Sequence, residues 1–269
     1  MTMRSAPKVT AGALDEAVRR LVQTLQPERI YLFGSRARGD ATEASDYDLM
    51  VVVPGPDEAA PERQQTARQV LFGLLSPVDL LVWPSDRFER QLPVVASFPA
   101  TIVREGRLLY GNEHFPRATS RTEAMAEWNN GGSVEDQAEN RRLTWEWIAK
   151  AEQELQGAER SNQPPALPGI VAYHCQQAME KALKGFLLWR DEPFRKTHEL
   201  KELVQQCAAV DATFIQLEAT AAELGPYAVQ FRYSGSDAEP TPALAARALH
   251  LALDAVDFVK MRLPQVDRT

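Results

Sequence analysis

A polar segment running from Gly34 to Asp48, Gly-Ser-Arg-Ala-Arg-Gly-Asp-Ala-Thr-Glu-Ala-Ser-Asp-Tyr-Asp, constrains this chain more than any other stretch. Ile30-Tyr31-Leu32-Phe33 precedes it and Leu49-Met50-Val51-Val52-Val53 follows it. Both runs are short, apolar and rich in β-favouring residues, which predicts two buried strands. Gly34 reaches backbone conformations closed to other residues and lets a ligand approach the main chain. Ser35 adds a hydroxyl, and backbone N–H groups at such a turn suit an anion. Arg36 and Arg38 add positive charge, and Gly39 relaxes the turn again. Taken alone, a Gly-Ser pair reads as an ordinary turn.

The second half of the segment narrows the choice. Residues i and i+2 of a strand point to one face, so Asp46 and Asp48 present two carboxylates in one direction, roughly 6–7 Å apart at Cα. Like charges that close repel, which invites either a raised pKa or a bound cation. Mg²⁺ suits such a pair because it takes few protein ligands and keeps waters or phosphates. The competing reading is a solvated Asp-rich turn. A third carboxylate weighs against it. Asp79 lies inside the apolar run Val78–Trp83 rather than at its edge, and a buried lone carboxylate is costly unless paired or metal-bound. Beside the Asp46/Asp48 strand it completes a cluster able to hold two metals about 3.5–4 Å apart, as in-line displacements use. Asp79 is also placed to accept the proton of an attacking hydroxyl.

Gly34-Ser35-x-x-x-Gly39, Ser45-Asp46-x-Asp48-Leu49 and Asp79, in that order, resemble the signature of the DNA polymerase beta-like nucleotidyltransferases, in their minimal form. Arg104 to Gly111 resembles the way such domains close, so the likeness spans about residues 10–112. The resemblance implies an α+β domain, a mixed sheet flanked by helices. It implies Asp46, Asp48 and Asp79 as catalytic, metal-binding carboxylates. Gly34 and Ser35 become triphosphate contacts, with Arg36, Arg38 and Gly39 beside them in the nucleotide-binding turn.

Charge limits the partners. The net charge is −7, with 13 basic against 15 acidic residues through position 115 and 17 against 22 beyond it. Neither half has the basic excess of a general nucleic-acid binder. No apolar stretch approaches the length of a membrane span, and the N-terminus lacks the apolar core of a signal peptide, so the expected location is cytoplasmic. Cys175 and Cys207 fall in apolar helical patterns and read as buried free thiols. Two Cys and four scattered His offer no zinc spacing.

Helices are expected over 12–26 and about 59–74, a turn and helix start at Pro84-Ser85-Asp86, and no firm structure over 93–104. The Asn- and Gly-rich stretch 113–140 reads as a linker between a domain at 1–112 and one at 141–269. The second domain is expected to be an all-α bundle. Val171, His174/Cys175, Ala178/Met179, Ala182/Leu183 and Phe186/Leu187 form one apolar stripe, with further helices over 141–160, 198–208, 212–230 and 243–262.

Ala172 to Lys184 (Ala-Tyr-His-Cys-Gln-Gln-Ala-Met-Glu-Lys-Ala-Leu-Lys), then Thr197-His198-Glu199-Leu200 and Arg232-Tyr233, are similar to the HEPN domain, named for nucleotide binding in higher eukaryotes and prokaryotes. The likeness covers about 141–262, and kanamycin nucleotidyltransferase shares the two-part layout. Paired HEPN-type domains imply a homodimer. In ribonuclease members an Arg precedes a His at a short set spacing, which Arg190/His198, Arg195/His198 and Arg247/His250 all fail to reproduce. Several features have plain structural readings. His174 suits a core histidine, Thr197 an N-cap for a helix beginning at His198, and Glu180 with Lys184 an i, i+4 pair worth only a few tenths of a kcal/mol. Lys181, Lys184, Arg195, Lys196 and Arg232 read equally as a phosphate-facing patch or a solvated face.

The resemblance implies transfer of AMP from ATP to a hydroxyl of a small molecule or a protein, with two Mg²⁺ ions and release of pyrophosphate. Two alternatives stay open: a non-catalytic nucleotide-binding or toxin–antitoxin-type module, and a HEPN ribonuclease restrained in cis.

Overall fold

β1 (Arg29–Phe33) and β2 (Tyr47–Val53) form where the apolar runs predicted them, and pair antiparallel with Phe33 opposite Asp48. The computed structural model describes residues 11–42, 45–55, 60–74, 78–111, 133–194, 197–228 and 240–264. β3 (Val78–Pro84) runs parallel to β2 with Asp48 opposite Asp79, and β4 (Arg107–Tyr110) pairs antiparallel with β1. The order β3-β2-β1-β4 makes a mixed sheet. β2 is buried on both faces, which explains its unbroken apolar reading.

Alternation divides the sheet into two layers. Ile30, Leu32, Leu49, Val51, Val53, Leu80 and Val82 pack with Ala17 and Leu21 of α1 (Ala11–Leu25) and with Ala67 and Leu71 of α3 (Ala60–Leu71). Tyr31, Phe33, Met50 and Val52 meet Phe88 of α4 (Ser85–Gln91) and Ile102 of α5 (Phe98–Glu105) on the other face. Between β1 and β2 lies the single turn α2 (Ser35–Arg38). α5 occupies the stretch that carried no firm expectation. Its signal was present: Ser97 accepts from the Ala100 N–H at 3.2 Å and Pro99 sits in the first turn, both N-terminal helix markers.

The chain divides into two compact units, Met1–Asp136 and Gln137–Thr269. The second is helical: α6 (Val134–Ser161), α7 (Pro168–Trp189), α8 (Leu200–Val210), α9 (Glu218–Leu224) and α10 (Pro242–Lys260). α6 begins at Val134, inside the stretch read as linker; positions 112–132 lie outside the described residues. α7 carries the expected stripe and packs most extensively on α10. Phe214 joins the core, its ring 4.3 Å from Phe186 and 5.2 Å from Phe258.

Two helix expectations change. The helix expected over 212–230 is a 3₁₀ turn (Ala212–Leu217), α9, and a second 3₁₀ turn (Gly225–Ala228). Asp211 accepts from the Thr213 N–H and hydroxyl at its start, and Pro226 lacks the N–H needed to continue α9. Thr197 does not cap α8, which starts at Leu200; its hydroxyl instead accepts from the Glu199 N–H at 3.1 Å, closing a local turn ahead of the helix.

Candidate active site

The site forms where β1 ends and β2 and β3 begin. Gly34 takes φ 71°, ψ −155°, a conformation essentially reserved for glycine, and turns the chain from β1 into α2. A Cβ added there would lie 2.0 Å from Asp48 Oδ2, so the Asp48 carboxylate sits directly over the Gly34 backbone. Gly39 ends α2 in the left-handed conformation, its N–H donating to the Ser35 carbonyl. Gly34 and Ser35 are half-buried, Gly39 exposed.

Antiparallel pairing with β1 and parallel pairing with β2 put Phe33, Asp48 and Asp79 in one row across three strands. Cross-strand partners share a face, and alternation assigns this row to the face covered by α4 and α5. Asp48 is buried, at 9% exposure, while Asp79 is exposed. The burial that its apolar run suggested for Asp79 does not occur; it lies near the start of β3, where the strand is still open to solvent. Asp46 is exposed one residue ahead of β2. Register thus brings Asp48 and Asp79 together, and Asp46 precedes them along the chain.

Among the described residues no group of three or more His, Cys, Asp or Glu side chains is disposed to hold a metal ion. The donor chemistry nevertheless fits a small divalent cation: hard carboxylate oxygens from adjacent strands, beside a backbone that only glycine brings so close.

The two arginines of the turn are engaged differently from each other. The Arg36 guanidinium donates from Nε and Nη2 to the Ser45 carbonyl at 2.9 and 2.6 Å and stacks over the Tyr47 ring at 4.1 Å. It therefore fastens the turn to the residues flanking Asp46. Arg38 is exposed and pairs with Asp40 at 3.3 Å. Nothing in the sequence distinguished these roles, because the partner of Arg36 is a main-chain oxygen nine positions away.

Lys181 and Lys184 of the helical unit are both committed to carboxylates. Lys184 bonds Glu180 at 2.8 Å, with side chains 7% and 5% exposed, so the pair is interior rather than superficial. Gln176 donates to Glu180 Oε2 at 3.0 Å, and His198 Nδ1 lies 3.1 Å from both Glu180 oxygens. Burial raises the Glu180 pKa, but Lys184, Gln176 and His198 outweigh it and hold the group below the usual carboxylate range. His174 is half-buried rather than a core residue, its Nδ1 2.5 Å from Glu154, which also pairs with Lys181 at 2.9 Å. Arg195, Lys196 and Arg232 lie outside the described residues. Burial pushes the Cys175 thiol up to about 12 and raises that of Cys207 further, so both are inert.

Comparison with known families agrees with this division. Residues 14–109 match the nucleotidyltransferase domain family. Residues 144–262 match the HEPN domain family. The chain therefore carries a nucleotidyltransferase-type domain followed by a HEPN domain. Among solved structures it is similar to a protein from Sulfolobus solfataricus provisionally assigned as a nucleotidyltransferase, at 22% identity and a TM-score of 0.25, over 42% of this chain and 96% of that one. No curated protein sequence matches significantly. No described helix is long and apolar enough to cross a membrane.

Proposed function

We propose that the N-terminal domain transfers a nucleoside monophosphate, AMP from ATP, to a hydroxyl acceptor. The observation that carries this reading is the Asp48–Asp79 register pair set against Gly34. Two carboxylates side by side on adjacent strands, next to a main chain that only glycine brings so close, supply the hard oxygen donors that a divalent cation takes. The Gly34–Ser35 turn receives the triphosphate. Asp48 and Asp79 would hold Mg²⁺, with Asp46, one residue ahead of β2, as a further candidate ligand, and the ion would neutralise phosphate charge during the displacement.

The acceptor oxygen forms a bond to the α-phosphorus, the bond from that phosphorus to the bridging oxygen breaks, and pyrophosphate leaves. Asp79, exposed beside Asp48, takes the hydroxyl proton. Positioning and charge stabilisation supply most of the rate in such reactions. The acceptor is a small hydroxylated compound or a protein hydroxyl.

Incubation with each of the four α-labelled triphosphates, Mg²⁺ and candidate acceptors tests the reading. Label on a small molecule or a polypeptide, with pyrophosphate released and ATP preferred, is expected. Mg²⁺-dependent ATP binding without pyrophosphate release would show a binding module instead.

A further inference from the structure

We propose that Gln64 is a positioning residue that keeps Asp79 opposite Asp48 by standing in for a strand at the edge of the sheet. The inference rests on the reading of those carboxylates as the reactive pair. β3 is an edge strand among the described residues, so its outward main-chain groups have no strand to bond. The Gln64 carboxamide of α3 meets them with both of its functions. Its Nε2 donates to the Leu80 carbonyl, and its Oε1 accepts from the Val82 N–H at 2.8 Å.

One acceptor for the N–H of a residue and one donor for the C=O two positions earlier is the pattern a neighbouring parallel strand supplies. The helix that delivers it is packed in place. Gln64 precedes Ala67 and Leu71 at helical spacing, and those two are buried against the same sheet layer as Leu80 and Val82. A polar residue on that otherwise apolar stripe has a reason to be there.

The two anchor points follow Asp79 directly. A slip of β3 by one residue would turn Asp79 to the opposite face, and a slip by two would move it roughly 6–7 Å along β2. The parallel pairing of β2 and β3 has no hairpin turn to fix its register, because α3 and its connections intervene. Gln64 fixes the register from outside. The same contact closes the edge against pairing with another chain.

Gln64→Met keeps length and packing but removes both hydrogen bonds; Gln64→Glu keeps the acceptor and regains the donor only when its carboxyl is protonated. The assay is amide hydrogen exchange at Val82, alongside the Mg²⁺ dependence of label transfer. In Gln64→Met, Val82 exchanges roughly tenfold faster or more, amides between β1 and β2 are unchanged, and half-maximal transfer needs several-fold more Mg²⁺ while saturated kcat stays near that of the unaltered protein. In Gln64→Glu, which keeps the acceptor for the Val82 N–H, Val82 loses less protection than in Gln64→Met. Unchanged exchange at Val82 in Gln64→Met overturns the clip. Faster exchange with an unaltered Mg²⁺ requirement overturns the positioning role. No label transfer by the unaltered protein overturns both the transferase reading and the positioning role, and exchange alone then decides whether the clip exists.

Discussion

The two units place their acidic side chains in different settings. In the sheet, Asp48 and Asp79 are register partners of the same sign at the margin of an apolar layer. In the helical unit, Glu180 is enclosed by Lys184, Gln176 and His198, a complementary set that satisfies both carboxylate oxygens. Glu154 likewise lies between His174 and Lys181. The helical carboxylates are neutralised by their own protein and act as architecture. The sheet pair gathers charge of one sign beside a glycine turn, an arrangement suited to a cation and a triphosphate.

The contrast is most sharply broken by removing one charge from each set. Asp48→Asn is isosteric and should lower transfer on the order of a thousandfold while leaving the melting temperature nearly unchanged; full activity, followed with α-labelled ATP, would remove the assignment. Glu180→Ala should do the reverse. It leaves the Lys184 ammonium buried without its carboxylate, at a cost of about 3–5 kcal/mol in unfolding free energy read from denaturant melts.

Next in size is Gly34→Ala. The new methyl meets Asp48 Oδ2 at a positive φ, which predicts a loss of about 1–3 kcal/mol together with reduced transfer. A stable, fully active variant would show that the close approach is unnecessary.

The smallest effect is in acid. The pKa values of Glu180 and Glu154 are lowered in the folded state, so their contribution is complete above the unfolded carboxylate value of about 4.3 and is lost as the pH falls through the lower folded values. Melts of the intact chain should therefore decline more steeply below about pH 4.5 than those of a Glu180→Gln variant. Equal acid slopes would show that the enclosed carboxylate contributes nothing.

Much of the molecule was legible in the residues. The runs at Ile30–Phe33 and Leu49–Val53 and the stripe from Val171 to Leu187 announced their elements, because periodicity and turn chemistry are local properties. α5 was overlooked although Ser97 and Pro99 mark its start. Thr197 and the 212–230 stretch misled, because a good cap residue also makes local turns and an apolar pattern tolerates 3₁₀ breaks.

The sequence by itself determined that a glycine turn and an Asp-x-Asp pair adjoin buried strands, since each depends only on neighbours along the chain. Only the tertiary structure decided that Asp79 stands opposite Asp48, that Arg36 braces the turn, and that Glu180 and Lys184 are interior. Pairing register and burial are set by groups distant in sequence, and no local pattern encodes which of them will meet.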